Sequence, residues 1–248
     1  MQRYFVDKFE ESSTIITGDD VHHIIRVMRM DVGHQIICCD PNGKVARCTI
    51  TEISNDVVFV NVVEWIEKSN ELPIKVTIAS GLPKGDKLEY VIQKGTELGA
   101  SEFVPFIAAR SVVKWDEKKG LKKVERWNKI AKEAAEQSHR TIIPSVHEAL
   151  SLTDLLTYSQ SYDYKLIAYE EDAKSGEKSK LVRLFNELVE GQSLLVVVGP
   201  EGGLSEKEVS RLEENGFLTC SFGPRILRTE TAPLYVLSAV SYYFELAR

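Results

Sequence analysis

The chain has 248 residues, of which 43% are hydrophobic and 27% charged, with a formal net charge of -6. This composition suits a globular protein with one large domain or a small and a medium one, and no apolar run approaches the roughly 18 residues of a membrane span. The acidic balance excludes a chain-wide electrostatic grip on nucleic acid, so such a partner would need local basic patches.

The opening segment, Met1-Gln2-Arg3-Tyr4-Phe5-Val6-Asp7, lacks the apolar core of a signal peptide, and the expected location is the cytosol. Up to about residue 66, short β-rich runs are separated by turn signals. Gln35 to Cys39, Val45 to Ile50 and Val57 to Val63 read as strands, with Asp40-Pro41-Asn42-Gly43 as a hairpin turn that tolerates positive φ. A small β domain closing into a partial barrel follows. One helix interrupts it at Asp19 to Arg29, capped by Asp19 or Asp20. His22, Arg26 and Arg29 share a cationic face, and Ile24, Ile25, Val27 and Met28 supply the buried side. That face is either a solvated surface or a phosphate-contacting stripe with Arg3 as a neighbour.

Glu64 to Leu72 reads as a linker ending at Pro73. Beyond it Ile74 to Ser80 is a strand, Asp86 to Leu98 a helix capped by Asp86 and stopped by Gly99, and Phe103 to Ile107 a strand, which makes a βαβ unit with a parallel pair. From Arg110 to Arg140 basic residues prevail, including Lys114, Lys118 and Lys119, on a long helix whose apolar stripe is Val124, Trp127, Ile130, Ala131 and Ala134. A helix near Leu150 to Tyr158, a strand Lys165 to Tyr169, a charged surface loop Glu170 to Lys180 and a helix near Leu181 to Glu190 lead to the apolar strand Leu194 to Val198. Ser205 and Glu208 form a capping-box pattern for a helix to Asn215, Leu218 to Phe222 is the last strand, and Pro233 opens a final helix, Leu234 to Leu246. Being apolar almost all round, that helix needs cover on several sides, from its own domain or from a second subunit. Cys38, Cys39, Cys48 and Cys220 lack metal-ligand spacing and read as core residues, so no metal is expected.

Two loops concentrate the chemistry. Gly199-Pro200-Glu201-Gly202-Gly203 follows a buried strand, and Gly223-Pro224-Arg225-Ile226-Leu227-Arg228-Thr229-Glu230-Thr231-Ala232 follows the next. Neither is a phosphate-binding Walker loop or a dinucleotide fingerprint. Charged side chains and free amides at strand ends are costly without a ligand, and a nucleoside fits: backbone groups read the base edge while Leu204, Ile226 and Leu227 sandwich the ring.

Lys84 to Glu89, Gln93 to Gly99, Glu136 to Arg140, Gly199 to Gly203 and Arg225 to Ala232 together resemble the RsmE family, the 16S ribosomal RNA uridine-N3 methyltransferases, across essentially the whole chain. Pro224 is a mild departure that stiffens its loop. The resemblance implies an α/β fold: a PUA-like RNA-binding β-barrel over residues 1–70, then a SPOUT methyltransferase domain over 73–248. It also implies S-adenosylmethionine held in a trefoil knot at a homodimer interface, with the small ribosomal subunit as partner. Cofactor contacts then fall to Tyr169, Gly199, Glu201, Gly202, Gly203, Phe222, Gly223, Ile226, Leu227 and Thr229, and RNA contacts to Arg3, His22, Arg26, Arg29, Lys84, Lys87 and Arg140. For chemistry, Glu201 or Glu230 would accept the uridine proton, directly or through water, and Arg228 or Arg110 would stabilise the anion. The bland alternatives are that Glu201 caps the following helix and Glu230 pairs with an arginine. A non-catalytic RNA-binding protein, a methyltransferase of another RNA, and a nicotinamide- or nucleotide-dependent enzyme on an ordinary parallel sheet are the rival readings.

Overall fold

The structure, a computed structural model, describes residues 1–113, 117–169 and 180–247, and for 117–119 the backbone alone. Lys114, Lys118, Lys119 and all but Lys180 of the expected surface loop Glu170 to Lys180 therefore lie outside the described residues or side chains. The chain forms two compact units, one of Met1–Glu71 with Ala135–Ile143 and one of Leu72–Ala134 with Pro144–Arg248. The first unit is thus discontinuous in sequence, which a linear reading with a single linker does not anticipate.

In the first unit β1 (Arg3–Phe5), β2 (Ser13–Thr17), β3 (Gln35–Cys39), β4 (Val45–Ile53) and β5 (Val57–Ile66) make a five-stranded sheet in the order β1-β3-β4-β5-β2. The short strands β1 and β2 escaped the sequence reading because three to five residues are too few to show a period. The β3–β4 hairpin turns where expected: Gly43 has φ 79°, and the buried Asp40 carboxylate accepts from the amides of Asn42 and Lys44, both at 2.9 Å. Inward residues Ile36, Cys38, Cys48, Ile50, Val58 and Val60 form the core with Tyr4, Ile16 and Ile24. Cys39, pointing the other way, is also buried and accepts a 3.1 Å bond from Arg3.

The expected helix is shorter than its sequence suggests. α1 (Asp19–His22) passes into a wider π-turn at His23–Val27, and Gly18, not Asp19 or Asp20, occupies the cap position. The change of pitch breaks the predicted face: Val27 is 58% exposed rather than buried, and Arg29 lies past the turn with φ 51°.

The second unit is a parallel sheet ordered β12-β10-β11-β6-β7-β8, with β9 beside β7. Its strands are β6 (Lys75–Gly81), β7 (Glu102–Ile107), β8 (Ser145–Val146), β9 (Leu150–Ser151), β10 (Tyr164–Ala168), β11 (Ser193–Val198) and β12 (Leu218–Cys220). The helices are α2 (Lys87–Glu97), α3 (Glu117–Gln137), α4 (Leu152–Tyr158), α5 (Lys180–Glu187), α6 (Glu206–Glu214) and α7 (Thr231–Ser241). Leu194 to Val198 are all buried, as a parallel strand covered on both faces requires. Near the amino ends of β6 and β7, Glu102, His147, Tyr158, Tyr162 and Thr77 form one hydrogen-bonded chain that fixes that edge. The opposite edge is left for the loops.

Asp86 takes the cap position of α2 without a side-chain cap bond, whereas Ser205 and Glu208 form the full capping box of α6. The final helix starts three residues earlier than Leu234, with Pro233 inside its first turn, where a missing amide hydrogen costs nothing. Among the described residues it is not covered all round: Tyr235 is 38% exposed, and Tyr242 and Leu246, in the π-turn Tyr242–Leu246 that continues the helix, are 64% and 76% exposed.

Candidate active site

Register places the loops side by side. Ala168, the last residue of β10, pairs with Val198 at the end of β11 and with Cys220 at the end of β12, while Val198 pairs with Ser80 of β6. The segments starting at Tyr169, Gly199 and Ser221 therefore leave the sheet from one rim, with the β6–α2 loop beside them. This is the carboxyl edge, where ligands of open α/β sheets bind.

They enclose a cavity of about 750 Å³. Its floor carries Ala168, Val198, Leu204, Phe222 and Leu227, and its rim carries Arg110, Glu201, Glu206, Arg225 and Arg228. All ten cofactor candidates line it, as do Glu201, Arg110 and Arg228; Glu230 is not among the lining residues. Ser221, Glu206 and Arg225 line it too and were not singled out from sequence, because nothing in their local pattern sets them apart.

Close approach explains the glycines. A Cβ on Gly199 would lie 3.0 Å from the backbone of Gly203 and Leu204, and one on Gly81 would lie 2.5 Å from Pro200 Cδ. Gly203 and Gly223 have φ 69° and 86°, in the left-handed region that glycine adopts without strain. Cross-links hold the loops: Thr229 Oγ1 donates to Gly199 O at 2.7 Å, Arg110 donates to Gly202 O at 2.9 Å, and Glu208 of α6 accepts from Ala109 N at 2.7 Å. The Phe222 ring stacks on Tyr235 with centroids 6.0 Å apart.

Neither glutamate follows its bland alternative. Glu201 does not cap α6; its carboxylate accepts from the Lys84 amide at 3.1 Å and from Lys87 Nζ at 2.9 Å. Among the described residues Glu230 meets no arginine but the same ammonium, at 3.3 Å, an ion pair without hydrogen-bond alignment. Partial burial pushes the Glu201 carboxyl up, yet Lys87 and the surrounding backbone amides outweigh it and hold the group below the usual carboxylate range. Lys87, expected to face RNA, itself lines the cavity and is committed to two carboxylates. Its signal was its place after a strand at the carboxyl edge.

Of the other RNA candidates, His22, Arg26 and Arg29 are exposed on the first unit. Arg140 is not available: it is buried, its guanidinium binds Glu71 through Nε at 3.0 Å and through its terminal nitrogen, and its carbonyl accepts from Arg3 at 2.9 Å. Arg3 is tied into the same corner. Arg140 is a strut because it is buried and its charge is answered by the Glu71 carboxylate, and Arg3 braces it through the Arg140 carbonyl.

The RNA methyltransferase domain family matches residues 70–241, and the RNA methyltransferase PUA domain family matches residues 16–63. Ribosomal RNA small subunit methyltransferase E of Bacillus subtilis (strain 168) is 58% identical over 253 residues, covering 100% of this chain and 99% of that protein. The chain belongs to the ribosomal RNA small subunit methyltransferase E family. A member of the ribosomal RNA small subunit methyltransferase E family from Aquifex aeolicus (strain VF5) is 33% identical over 89% of this chain and 90% of its own length. The crystal structure of the Neisseria gonorrhoeae ribosomal RNA small subunit methyltransferase E, bound to S-adenosyl methionine, superposes with TM-score 0.84 at 26% identity over 98% of both chains. The architecture is accordingly that of a SPOUT-type RNA methyltransferase with an amino-terminal PUA domain.

Proposed function

We propose that this chain is an S-adenosylmethionine-dependent methyltransferase that modifies N3 of a uridine in 16S ribosomal RNA of the small subunit. The 58% identity along the full length of the B. subtilis protein carries this reading. The cavity fits the cofactor: its volume of about 750 Å³ falls within the roughly 300–1,000 Å³ of small-molecule sites. Backbone groups at Gly199 to Gly203 and Ser221 to Thr229 can read an adenine edge, and Leu204, Ile226 and Leu227 can hold its faces. Tyr169, Glu201, Gly202, Phe222 and Gly223 complete the binding wall. When bound, the cofactor supplies an activated methyl group on a sulfonium.

Transfer to N3 requires loss of the imino proton and stabilisation of the uracil anion. Arg228 suits the second task, since its guanidinium lines the cavity with no hydrogen bond or ion pair among the described residues. Arg110 is partly committed to Gly202. Glu201 is a poor direct base, because its pKa is already depressed. Glu230 is not among the residues lining the cavity, so the proton leaves to water rather than directly to either carboxylate. Orientation in one site supplies much of the remaining acceleration.

Residues 1–70 serve as the RNA-binding part, with His22, Arg26 and Arg29 on phosphates and Lys84 at the mouth of the methyltransferase part, 73–248. The exposed side of α7 supports a homodimer. The test is nucleoside mass spectrometry of small-subunit particles from cells lacking the gene, incubated with purified protein and S-adenosylmethionine. Appearance of 3-methyluridine is expected; methylation of another nucleoside, or none with cofactor bound, overturns the assignment.

A further inference from the structure

The geometry points to Lys87 as a positioning residue of the cofactor site: one ammonium that holds the loop after β11 and the loop after β12 at their working separation by bridging Glu201 and Glu230. This rests on the cofactor reading above. Lys87 opens α2, a helix anchored by the buried Leu88, Val91 and Ile92, so the ammonium is carried on a fixed support. Glu201 comes from the first glycine loop and Glu230 is the residue at which α7 begins. Their carboxylates converge on Lys87 Nζ at 2.9 and 3.3 Å. Without the cation, two carboxylates would face each other over this short span and repel.

The arrangement is more than a surface ion pair. The Glu230 side chain is 19% exposed, and its Oε2 is buried with no aligned hydrogen-bond donor among the described residues. Lys87 is the charge that compensates it. Glu201 has a second hold, the Lys84 amide, so Lys87 is the element shared between the loops rather than the sole anchor of either. The bond from Thr229 to Gly199 joins the same two loops from the cavity side, and Gly199 and Thr229 both line the cavity. A loop displaced by loss of the ammonium would therefore move the binding wall itself.

The test is a double-mutant cycle read by calorimetric titration with S-adenosylmethionine, with thermal unfolding followed in parallel. Wild-type protein must bind; failure there removes the cofactor reading and not the role of Lys87 alone. Lys87→Met is expected to weaken binding on the order of tenfold or more. Lys87→Arg, which can bridge two carboxylates, should bind within about threefold of wild type, and Lys87→Met combined with Glu230→Gln should recover most of the loss because it removes the repulsion. Wild-type affinity in Lys87→Met, or a loss that neither arginine nor Glu230→Gln relieves, overturns the proposal. Should Lys87→Met not fold, the double variant decides alone: near wild-type affinity supports the bridge, and a tenfold loss sinks it.

Discussion

At the scale of single residues, close approach and buried charge set the tolerances. Gly81 leaves no room for a methyl group, since its Cβ would press on Cδ of Pro200, the second residue of the first glycine loop. Gly81→Ala is expected to destabilise the fold by about 1–3 kcal/mol and to weaken cofactor binding, because the loop must shift to relieve the overlap. Denaturant unfolding and calorimetric titration check both effects. Glu71 makes a different demand. Burial pushes its carboxyl up, but the Arg140 guanidinium and the amide and hydroxyl of Thr141 outweigh burial and hold it below its ordinary value of 4.5. A carboxyl whose folded pKa is depressed contributes stability that is complete above the unfolded value and is lost as pH falls through the folded one. Glu71→Gln should therefore cost on the order of 2–3 kcal/mol at neutral pH. The gap from wild type should close on acidification below about pH 4.5, which unfolding curves at several pH values would reveal.

At the scale of elements, local periodicity and observed structure part company at α1. Four-and-three spacing puts His22, Arg26 and Arg29 on one face only while the pitch stays helical; the π-turn at His23–Val27 and the left-handed Arg29 end that regularity. The charges nevertheless remain exposed, so their electrostatic use survives the loss of the helix face. Replacing Arg26 and Arg29 together by alanine should weaken RNA binding while cofactor affinity stays unchanged. The slope of log affinity against log salt should fall by about 1 for each phosphate that the variant no longer neutralises. A parallel loss of both affinities would show that the first unit does not act through RNA alone. The α6 capping box was readable because both partners lie within one turn. Glu208 also accepts from Ala109, a tie to the Arg110 loop that no local pattern announces.

At the scale of the whole molecule, α7 carries the argument. Its apolar composition predicted burial on several sides, yet Tyr242 and Leu246, in the π-turn that continues it, are largely exposed in the single chain. A second copy of this chain is the proposed cover. Tyr242→Asp with Leu246→Asp should leave the monomer folded, since both side chains are exposed there, and should convert a dimer to monomer in analytical ultracentrifugation. An unchanged sedimentation coefficient would place the interface elsewhere.

The sequence alone determined which segments are strands and helices over most of the chain, and where the glycine loops stand, because hydrophobic period, capping and turn chemistry are written within a few neighbouring residues. The two glycine loops of the cavity wall were legible for the same reason, since each follows its strand directly, whereas Tyr169 and Phe222 came with the family resemblance. What only the tertiary structure decided was the partner of each charge. Lys87 and Arg140 both read as cations free to meet RNA, and each is instead taken by carboxylates distant in sequence, Glu201 and Glu230 for one and Glu71 for the other. Ion pairs are set by which strand ends and chain segments fold back on one another. The Lys84 amide and the carboxylate it holds are 117 residues apart, and no local spacing records that distance.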